Sequence, residues 1–283
     1  MHSCSLKLGH YTIRGTSTAG VETSIQVPEL SICFDIGTCL RTSIRMNRLL
    51  ITHAHPDHFG SLISYLGARL LYGMKPADVY VGLESVDQIQ QLIEIAESLQ
   101  GYSFGANLVA AIPGVPVRFG GGMTLYPYVG NHCIPTTGYA IWSESKKLKA
   151  EYSHLTGPEL AHLRHQIGDQ LTYPVRRLAI AYSGDSFIEI LDDHPELLEA
   201  QTLLLECSFL DNKKDRSTAR AGGHIHLDEI IERADTFRNQ HIVLLHFSQI
   251  YTPADVHVIL QKRLPDHLKA RVSAFTGQGN DSQ

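Results

Sequence analysis

The stretch Leu49-Leu50-Ile51-Thr52-His53-Ala54-His55-Pro56-Asp57-His58-Phe59-Gly60 decides how the chain is read. Its short apolar run is closed at once by His53, His55, Asp57 and His58. A run this short, ending in polar side chains, reads as a buried strand that runs out into a loop. Open α/β sheets place their chemistry at the carboxyl ends of such strands. Alternate residues of an extended loop project to the same side, so His53 and His55 can approach one ion together, while Asp57 and His58 face a neighbouring position. Imidazole nitrogen and carboxylate oxygen are the donors Zn²⁺ accepts, at about 2.0–2.2 Å. Ordinary surface polarity, or a helix cap with two incidental histidines, would not account for the order His-x-His-x-Asp-His.

Bulk composition bounds the rest. A chain of 283 residues accommodates two average domains or one large α/β sandwich. The formal net charge of −5 argues against a surface that is basic all over and coats nucleic acid, though a local basic groove is compatible with it. The five cysteines, Cys4, Cys33, Cys39, Cys133 and Cys207, are scattered and form no Cys-x-x-Cys pair, which suggests neither a disulfide framework nor a thiolate zinc knuckle. A reducing cytoplasm is the natural setting for such cysteines. The opening MHSCSLKLGH has no apolar core for a signal peptide, and no run approaches the roughly 18 apolar residues of a membrane span. The expectation is a soluble, cytoplasmic protein with no membrane partner.

Working outward, Lys7–Arg14, Thr23–Val27 and Leu30–Asp35 alternate as antiparallel strands, with a turn through Gly15–Gly20. After the histidine stretch, Leu62, Ile63, Leu66 and Leu70 mark a helix over Phe59–Leu71, and Asp78–Val81 reads as a strand. Glu84–Leu99 carries Val86, Ile89, Leu92, Ile93 and Ala96 on one helical face, a stripe for core packing. Val115–Phe119 and Met123–Val129 read as strands around Gly120-Gly121-Gly122. Lys146–Leu171 is polar and helix-prone, a compact insertion whose His154, His162 and His165 belong to the surface. Arg177–Tyr182, Thr202–Glu206 and His241–Leu245 are further strands. Each ends in chemistry-bearing residues: Ser183-Gly184-Asp185, Glu206-Cys207-Ser208 and His246-Phe247-Ser248. Gly223-His224-Ile225-His226 opens a helix expected to reach Phe237. Asp35 reads either as an orienter of a ligating histidine or as an anchor for turn backbone. Glu206 likewise reads as a partner of a catalytic histidine or as a turn anchor, and Cys133 as a small buried hydrophobe.

His-x-His-x-Asp-His at a strand end, Asn131-His132-Cys133-Ile134-Pro135 before Gly138-Tyr139, the strand-then-Gly184-Asp185 step, His224 and His246 together resemble the metallo-β-lactamase superfamily, in its ribonuclease Z branch of tRNA 3′-end processing endonucleases. The resemblance runs from the first strand to His246. It departs from the branch at the first turn, Gly15-Thr16-Ser17, and at His226, where threonine or serine is more usual. No Gly- and Pro-containing tRNA-gripping arm is evident between His132 and Asp185.

The resemblance implies an α/β fold of the four-layer αββα type, one domain spanning residues 1–283 with a flexible tail over 275–283. It implies two divalent metal ions, zinc first, with manganese or iron as alternatives. One ion would take His53, His55 and His132, the other Asp57, His58 and His246, and Asp185 would bridge them. Two such ions bring the pKa of water from 15.7 towards neutrality. Asp57 would orient the attacking water, and His224 would donate a proton to the leaving oxygen, with His226 kept as the alternative for that role. The implied activity is zinc-dependent hydrolysis of a phosphodiester in RNA, a tRNA precursor above all. A small phosphodiester, thioester or lactone is the competing substrate class. Relatives in the branch are commonly homodimers.

Overall fold

The computed structural model describes residues 3–277. Strands β1 (Cys4–Leu8), β2 (Tyr11–Ala19), β3 (Glu22–Val27), β4 (Ile32–Phe34), β5 (Arg48–Leu50), β6 (Asp78–Gly82) and β7 (Asn107–Ala111) lie side by side in chain order. The second sheet takes β8 (Val117–Gly120), β9 (Met123–Val129), β10 (Thr137–Leu148), β11 (Thr172–Tyr182), β12 (Thr202–Glu206) and β13 (His241–Leu245). The short β14 (Phe247–Ser248) crosses back to pair with β2, and β15 (Val272–Ala274) completes the second sheet beside β13.

Three apolar cores separate four layers. Ile13, Ile25, Phe34, Leu50, Leu125, Tyr139, Ile180, Leu204 and Val243 fill the space between the sheets. Helices α1 (Pro56–Phe59), α2 (Leu62–Leu71) and α3 (Val86–Gln100) follow strands of the first sheet, and α2 and α3 cover its outside, with Tyr65, Leu66, Ile89 and Ile93 packed on Leu49 and Val79. Outside the second sheet the chain adds α4 (Gly157–Ile167), α5 (Ile190–Asp193), α6 (Arg216–Ala221), α7 (Leu227–Glu232), α8 (Pro253–Arg263) and α9 (Asp266–Lys269). Of these, α5, α7, α8 and α9 bury Ile190, Ile230, Leu260 and Leu268 against Leu203, Leu205 and Leu244. This is the αββα sandwich expected from the sequence. Strands β5, β6, β12 and β13 are buried on both faces and read accordingly as continuous apolar runs. Among the described residues no helix is long and apolar enough to cross a membrane.

Several boundaries differ from the sequence reading, each for a local reason. The expected strand Lys7–Arg14 is two strands, broken at Gly9, whose φ of 58° only glycine adopts at little cost. The expected turn at Gly15–Gly20 is instead strand as far as Ala19, the second half of β2, where Thr16 and Thr18 favour extended backbone, and the chain turns only at Gly20. The helix expected to reach Phe237 stops after Glu232. The stretch read as helical from Lys146 begins as strand: the outer halves of β10 and β11 form an exposed two-stranded ribbon, paired from Ser143–Arg177 to Leu148–Thr172, with α4 in the excursion beyond it. Arg176 pairs with Glu144 across this ribbon, and Lys146 pairs with Asp169 in the turn before β11, in keeping with its polar composition. The tail expected from residue 275 is tied down at its start. Phe275 is buried between the sheets and its N–H donates to the Leu244 carbonyl at 2.8 Å. Residues 278–283 of that expected tail lie outside the described residues.

Candidate metal centre

The strand ends bring together every residue singled out above as a metal ligand. The histidine stretch leaves β5, and Pro56 starts α1, so His53 and His55 precede the helix while Asp57 and His58 lie on it. His132 sits on the loop between β9 and β10, Asp185 follows β11, and His246 follows β13. Ligand-type atoms of His53, His55, His132 and Asp185 lie within 4.8 Å of one another, as do those of Asp57, His58 and His246, and those of Asp185, His224 and His246.

The hydrogen bonds around the imidazoles fix which nitrogen each presents. The Thr52 hydroxyl donates to both oxygens of Asp35 at 3.0 Å, so it can only accept from His53 Nδ1–H, also at 3.0 Å. His58 Nδ1–H donates to Asp35 Oδ2 at 2.8 Å, and His132 Nδ1–H to the Gly223 carbonyl at 2.9 Å. The Ser208 hydroxyl donates to Glu206 at 2.9 Å, so it accepts from His246 Nδ1–H at 3.1 Å. Assigned this way from the network, all four rings turn Nε2 to the common centre. His55 is the exception and presents Nδ1, 3.0 Å from His53 Nε2 and 3.4 Å from His132 Nε2. His58 and His246 meet Nε2 to Nε2 at 3.2 Å. Nitrogens aimed at one another this closely fit a shared cation better than they fit each other.

Asp185 gives the same indication. Its side chain is buried, and its Oδ1 accepts no well-aligned hydrogen bond although His58 Nε2 lies 3.3 Å away, which in an interior is costly for a carboxylate oxygen. Asp57 Oδ2 accepts from the Gly20 N–H at 2.8 Å and lies 3.4 Å from His246 Nε2 and 3.6 Å from His58 Nε2. The donor set of imidazoles and carboxylates suits a borderline divalent ion such as zinc.

Electrostatics separate the histidines. Burial, reinforced by the neighbouring His58, pushes His53 down to about 2, leaving it neutral. Burial also lowers His132. For His58 burial acts downward too, but Asp185 and Asp35 overcome it and hold the imidazole well above its ordinary value. For Asp185 burial acts upward, and His246 and His58 outweigh it, keeping the carboxyl well below the carboxylate range. His224 is likewise lowered by burial but pushed up to about 9 by Glu206, whose Oε1 accepts from Nδ1–H at 3.1 Å, with Asp185 assisting.

The structure places His224 at the centre and His226 away from it. The His224 ring lies 5.5 Å from His132 and 5.3 Å from His246 between centroids. His226 is buried as the N-cap of α7: its Nδ1 accepts from the Asp228 N–H at 3.2 Å and its Nε2 meets the Asp211 carbonyl at 3.3 Å. Cys133, expected to be buried, is exposed on the solvent side of His132, with Sγ 3.4 Å from its Nε2. Asp35 and Glu206 each perform both of the tasks left open by the sequence, binding backbone N–H groups and a site histidine together.

Sequence reasoning missed Gly20, Thr52, Tyr182 and Ser208. Gly37 closes the Phe34-Asp35-Ile36-Gly37 step, which resembles the strand-end aspartate-glycine step of the ribonuclease Z branch, and a Cβ there would lie 1.7 Å from the Asp57 carbonyl oxygen and 2.9 Å from Thr23 N. Two residues beside the centre, Asp35 and His246, hold left-handed backbone, at φ 57° and 62°. Such strain is characteristic of functional sites.

No protein-family model matches the chain. Among solved structures, the metallo-beta-lactamase fold protein YhfI of Bacillus subtilis superposes with a TM-score of 0.62 over 93% of this chain and 95% of its own, at 16% identity. The chain thus has the metallo-β-lactamase fold. It is 34% identical over 274 residues to tRNase Z TRZ1 of Arabidopsis thaliana, covering 96% of this chain and 97% of that protein. It is 33% identical over 271 residues to the chloroplastic tRNase Z TRZ2 of the same plant, covering 95% of this chain and 75% of that protein. The chain belongs to the tRNase Z, or ribonuclease Z, family.

The packing of Gly37 generates a prediction. Gly37→Ala forces the Asp57 backbone to move and costs about 1–3 kcal/mol of overpacking. A lowered thermal midpoint together with a displaced Asp57 in the variant's crystal structure is expected; an unmoved Asp57 carbonyl at unchanged stability would contradict this account of the site.

Proposed function

We propose that the chain is a two-metal phosphodiesterase that cleaves tRNA precursors, with His53, His55 and His132 holding one ion, Asp57, His58 and His246 the other, and Asp185 between them. Zinc is the first choice of metal. The observation that carries this reading is the set of imidazole nitrogens whose opposite edges are tied up by Asp35, Thr52, Gly223 and Ser208, so that each turns a lone pair to the same place. Membership of the tRNase Z family supports RNA as the substrate. Residues from both sheets and from both halves of the sequence converge on the centre, which supports one domain as the working unit. The five free cysteines suit a reducing compartment such as the cytoplasm.

Bound divalent ions offset charge on the phosphoryl oxygens and make water acidic enough to attack near neutral pH. The protein's own residues then do the following. Asp57, steadied by the Gly20 N–H, orients the attacking water from the α1 side. His224 holds a proton between Glu206 and the open centre, at the height of Asp185, whose Oδ2 is 3.9 Å from its Nδ1. Protonated on both nitrogens, it keeps Nδ1–H on Glu206 and has Nε2–H to donate to the departing oxygen, a contribution typically worth 10²–10⁴-fold. His226 takes no part, because both of its nitrogens are spent on Asp228 and Asp211.

Elemental analysis of purified protein should find two equivalents of divalent metal. Asp185→Ala should lower both, and His246→Ala should lower mainly one; metal-free protein active on phosphodiesters would end the proposal.

His224→Ala should keep both metals and lose roughly 10²–10⁴-fold in turnover of a tRNA precursor. The loss should be much smaller on bis(p-nitrophenyl) phosphate, whose leaving group needs no proton. An equal loss on both substrates would assign His224 to another task. A thioester and a lactone assayed in parallel separate the phosphodiesterase reading from other chemistry on this fold.

As in the branch generally, we propose a homodimer. Light scattering at working concentration should give twice the chain mass, and a monomer that is fully active on a tRNA precursor would refute it.

A further inference from the structure

Beside the metal centre lies a cavity of about 280 Å³ that the catalytic scheme does not use. It is lined by Glu84 from the turn after β6, Pro113 from the turn after β7, and residues of the β9–β10 loop including Val129, Ile134 and Pro135. His132 and Cys133 line it as well, so the cavity opens directly on the ring that presents Nε2 to the centre. Its position at the carboxyl ends of β6 and β7 is where open sheets take ligands.

Two features of its walls point to one kind of occupant. The first is apolar surface left in water. Val129 is 61% exposed, and Leu83 and Ile112, next in sequence to the lining residues Glu84 and Pro113, are 52% and 40% exposed. Prolines and branched aliphatics of this kind offer flat apolar faces suited to an aromatic ring. The second is a carboxylate without a partner. Glu84 makes no side-chain hydrogen bond or ion pair among the described residues, although Arg and Lys side chains elsewhere in the chain pair freely with carboxylates. A bare carboxylate beside a site for phosphodiesters repels backbone phosphate, so its use has to be on something other than phosphate. Carboxylates accept hydrogen bonds from ring and exocyclic N–H groups of bases, as with the N4 amine of cytosine.

We propose that this cavity receives the unpaired nucleobase adjoining the scissile phosphate, and that Glu84 selects bases carrying an exocyclic amine over uracil. The inference rests on the phosphodiesterase reading above and adds the base-recognition pocket to it. Adenine, cytosine and guanine each turn an amine towards an acceptor. Uracil offers a single ring N–H flanked by two carbonyl oxygens, which a carboxylate repels. Pro113, Pro135 and Val129 supply the apolar contact that holds the ring whichever base it is.

The test uses full-length, metal-loaded protein and RNA precursors that differ only in the nucleotide on either side of the cleavage point. Wild type is expected to cleave the uracil variant at one flank roughly tenfold more slowly than the other three. Glu84→Gln, which can both donate and accept, should flatten that profile, and Glu84→Lys should reverse it in favour of carbonyl-bearing edges. Turnover of bis(p-nitrophenyl) phosphate should be unchanged in both variants, since Glu84 is exposed, is not among the ligand-type residues gathered at the centre, and meets no base in that substrate. RNA cleavage with a base profile that Glu84→Gln leaves intact, or with no profile in wild type, overturns the pocket alone. Hydrolysis of the nitrophenyl diester with no cleavage of any RNA overturns the RNA reading and the pocket with it.

Discussion

The buried carboxylate of Asp35 is the constraint on which the rest of the centre depends. It accepts from the Thr52 N–H at 2.7 Å, the Thr52 hydroxyl at 3.0 Å, His58 Nδ1–H at 2.8 Å and the Tyr182 hydroxyl at 2.9 Å. Those four bonds join the end of β4 to the end of β5, to α1 and, across the sandwich, to the end of β11. A fully buried carboxylate is tolerable only when its lone pairs are used this completely. The consequence reaches the chemistry, because the tautomer of His58 is fixed directly and that of His53 through the Thr52 hydroxyl. Removing one partner from such a buried charged group typically costs about 3–5 kcal/mol, so the network stands or falls as a unit.

The second sheet repeats the device with Glu206. Its two oxygens collect the N–H groups of Ser186, Ser208 and Ile225, the Ser208 hydroxyl and His224 Nδ1–H. Through Ser208 it sets the tautomer of His246, as Asp35 sets that of His53 through Thr52. Each sheet thus carries one buried acid at a strand end that orients histidines reaching the centre from its side. The two halves meet where the His246 N–H donates to Ser17 Oγ at 3.1 Å and β14 pairs with β2, closing the sheets over the centre.

Much of this was legible in the sequence, and the reasons are physical. Metal ligation demands particular side chains at strand ends, and strand ends announce themselves as apolar runs that stop abruptly, as Leu49–Ile51, Leu203–Leu205 and Val243–Leu245 do. The αββα layering followed from the resemblance to a known family. What stayed hidden depends on contacts between distant segments. Gly20 donates to Asp57 across 37 positions and Tyr182 to Asp35 across 147, and neither leaves a local signature. The β10–β11 ribbon was misread as helical because exposed strands carry the same charged residues as a solvated helix, and their pairing is visible only once the partner is known. His224 and His226 could not be separated by sequence, since a cap and a proton donor both want an imidazole beside a glycine turn. The structure places the first at the centre against Glu206 and the second on the Asp228 N–H as the cap of α7.

The arrangement also explains why the centre is built from histidines held by carboxylates rather than from carboxylates alone. Asp35, Asp185 and Glu206 already place three acids in the interior, each with a side chain at most 2% exposed. More acids as ligands would leave the protein to fold against a concentration of negative charge, whereas neutral imidazoles such as His53 add donor atoms without adding charge. His58 shows how the balance is kept. Between Asp35 and Asp185 its imidazole is held well above the ordinary value, with Nδ1 on Asp35 and Nε2 3.3 Å from Asp185 Oδ1. A cation held there would take the place of a proton on that nitrogen. Folding and metal binding consequently draw on one electrostatic requirement, positive charge at the point where Asp57, Asp185, His58 and His246 converge.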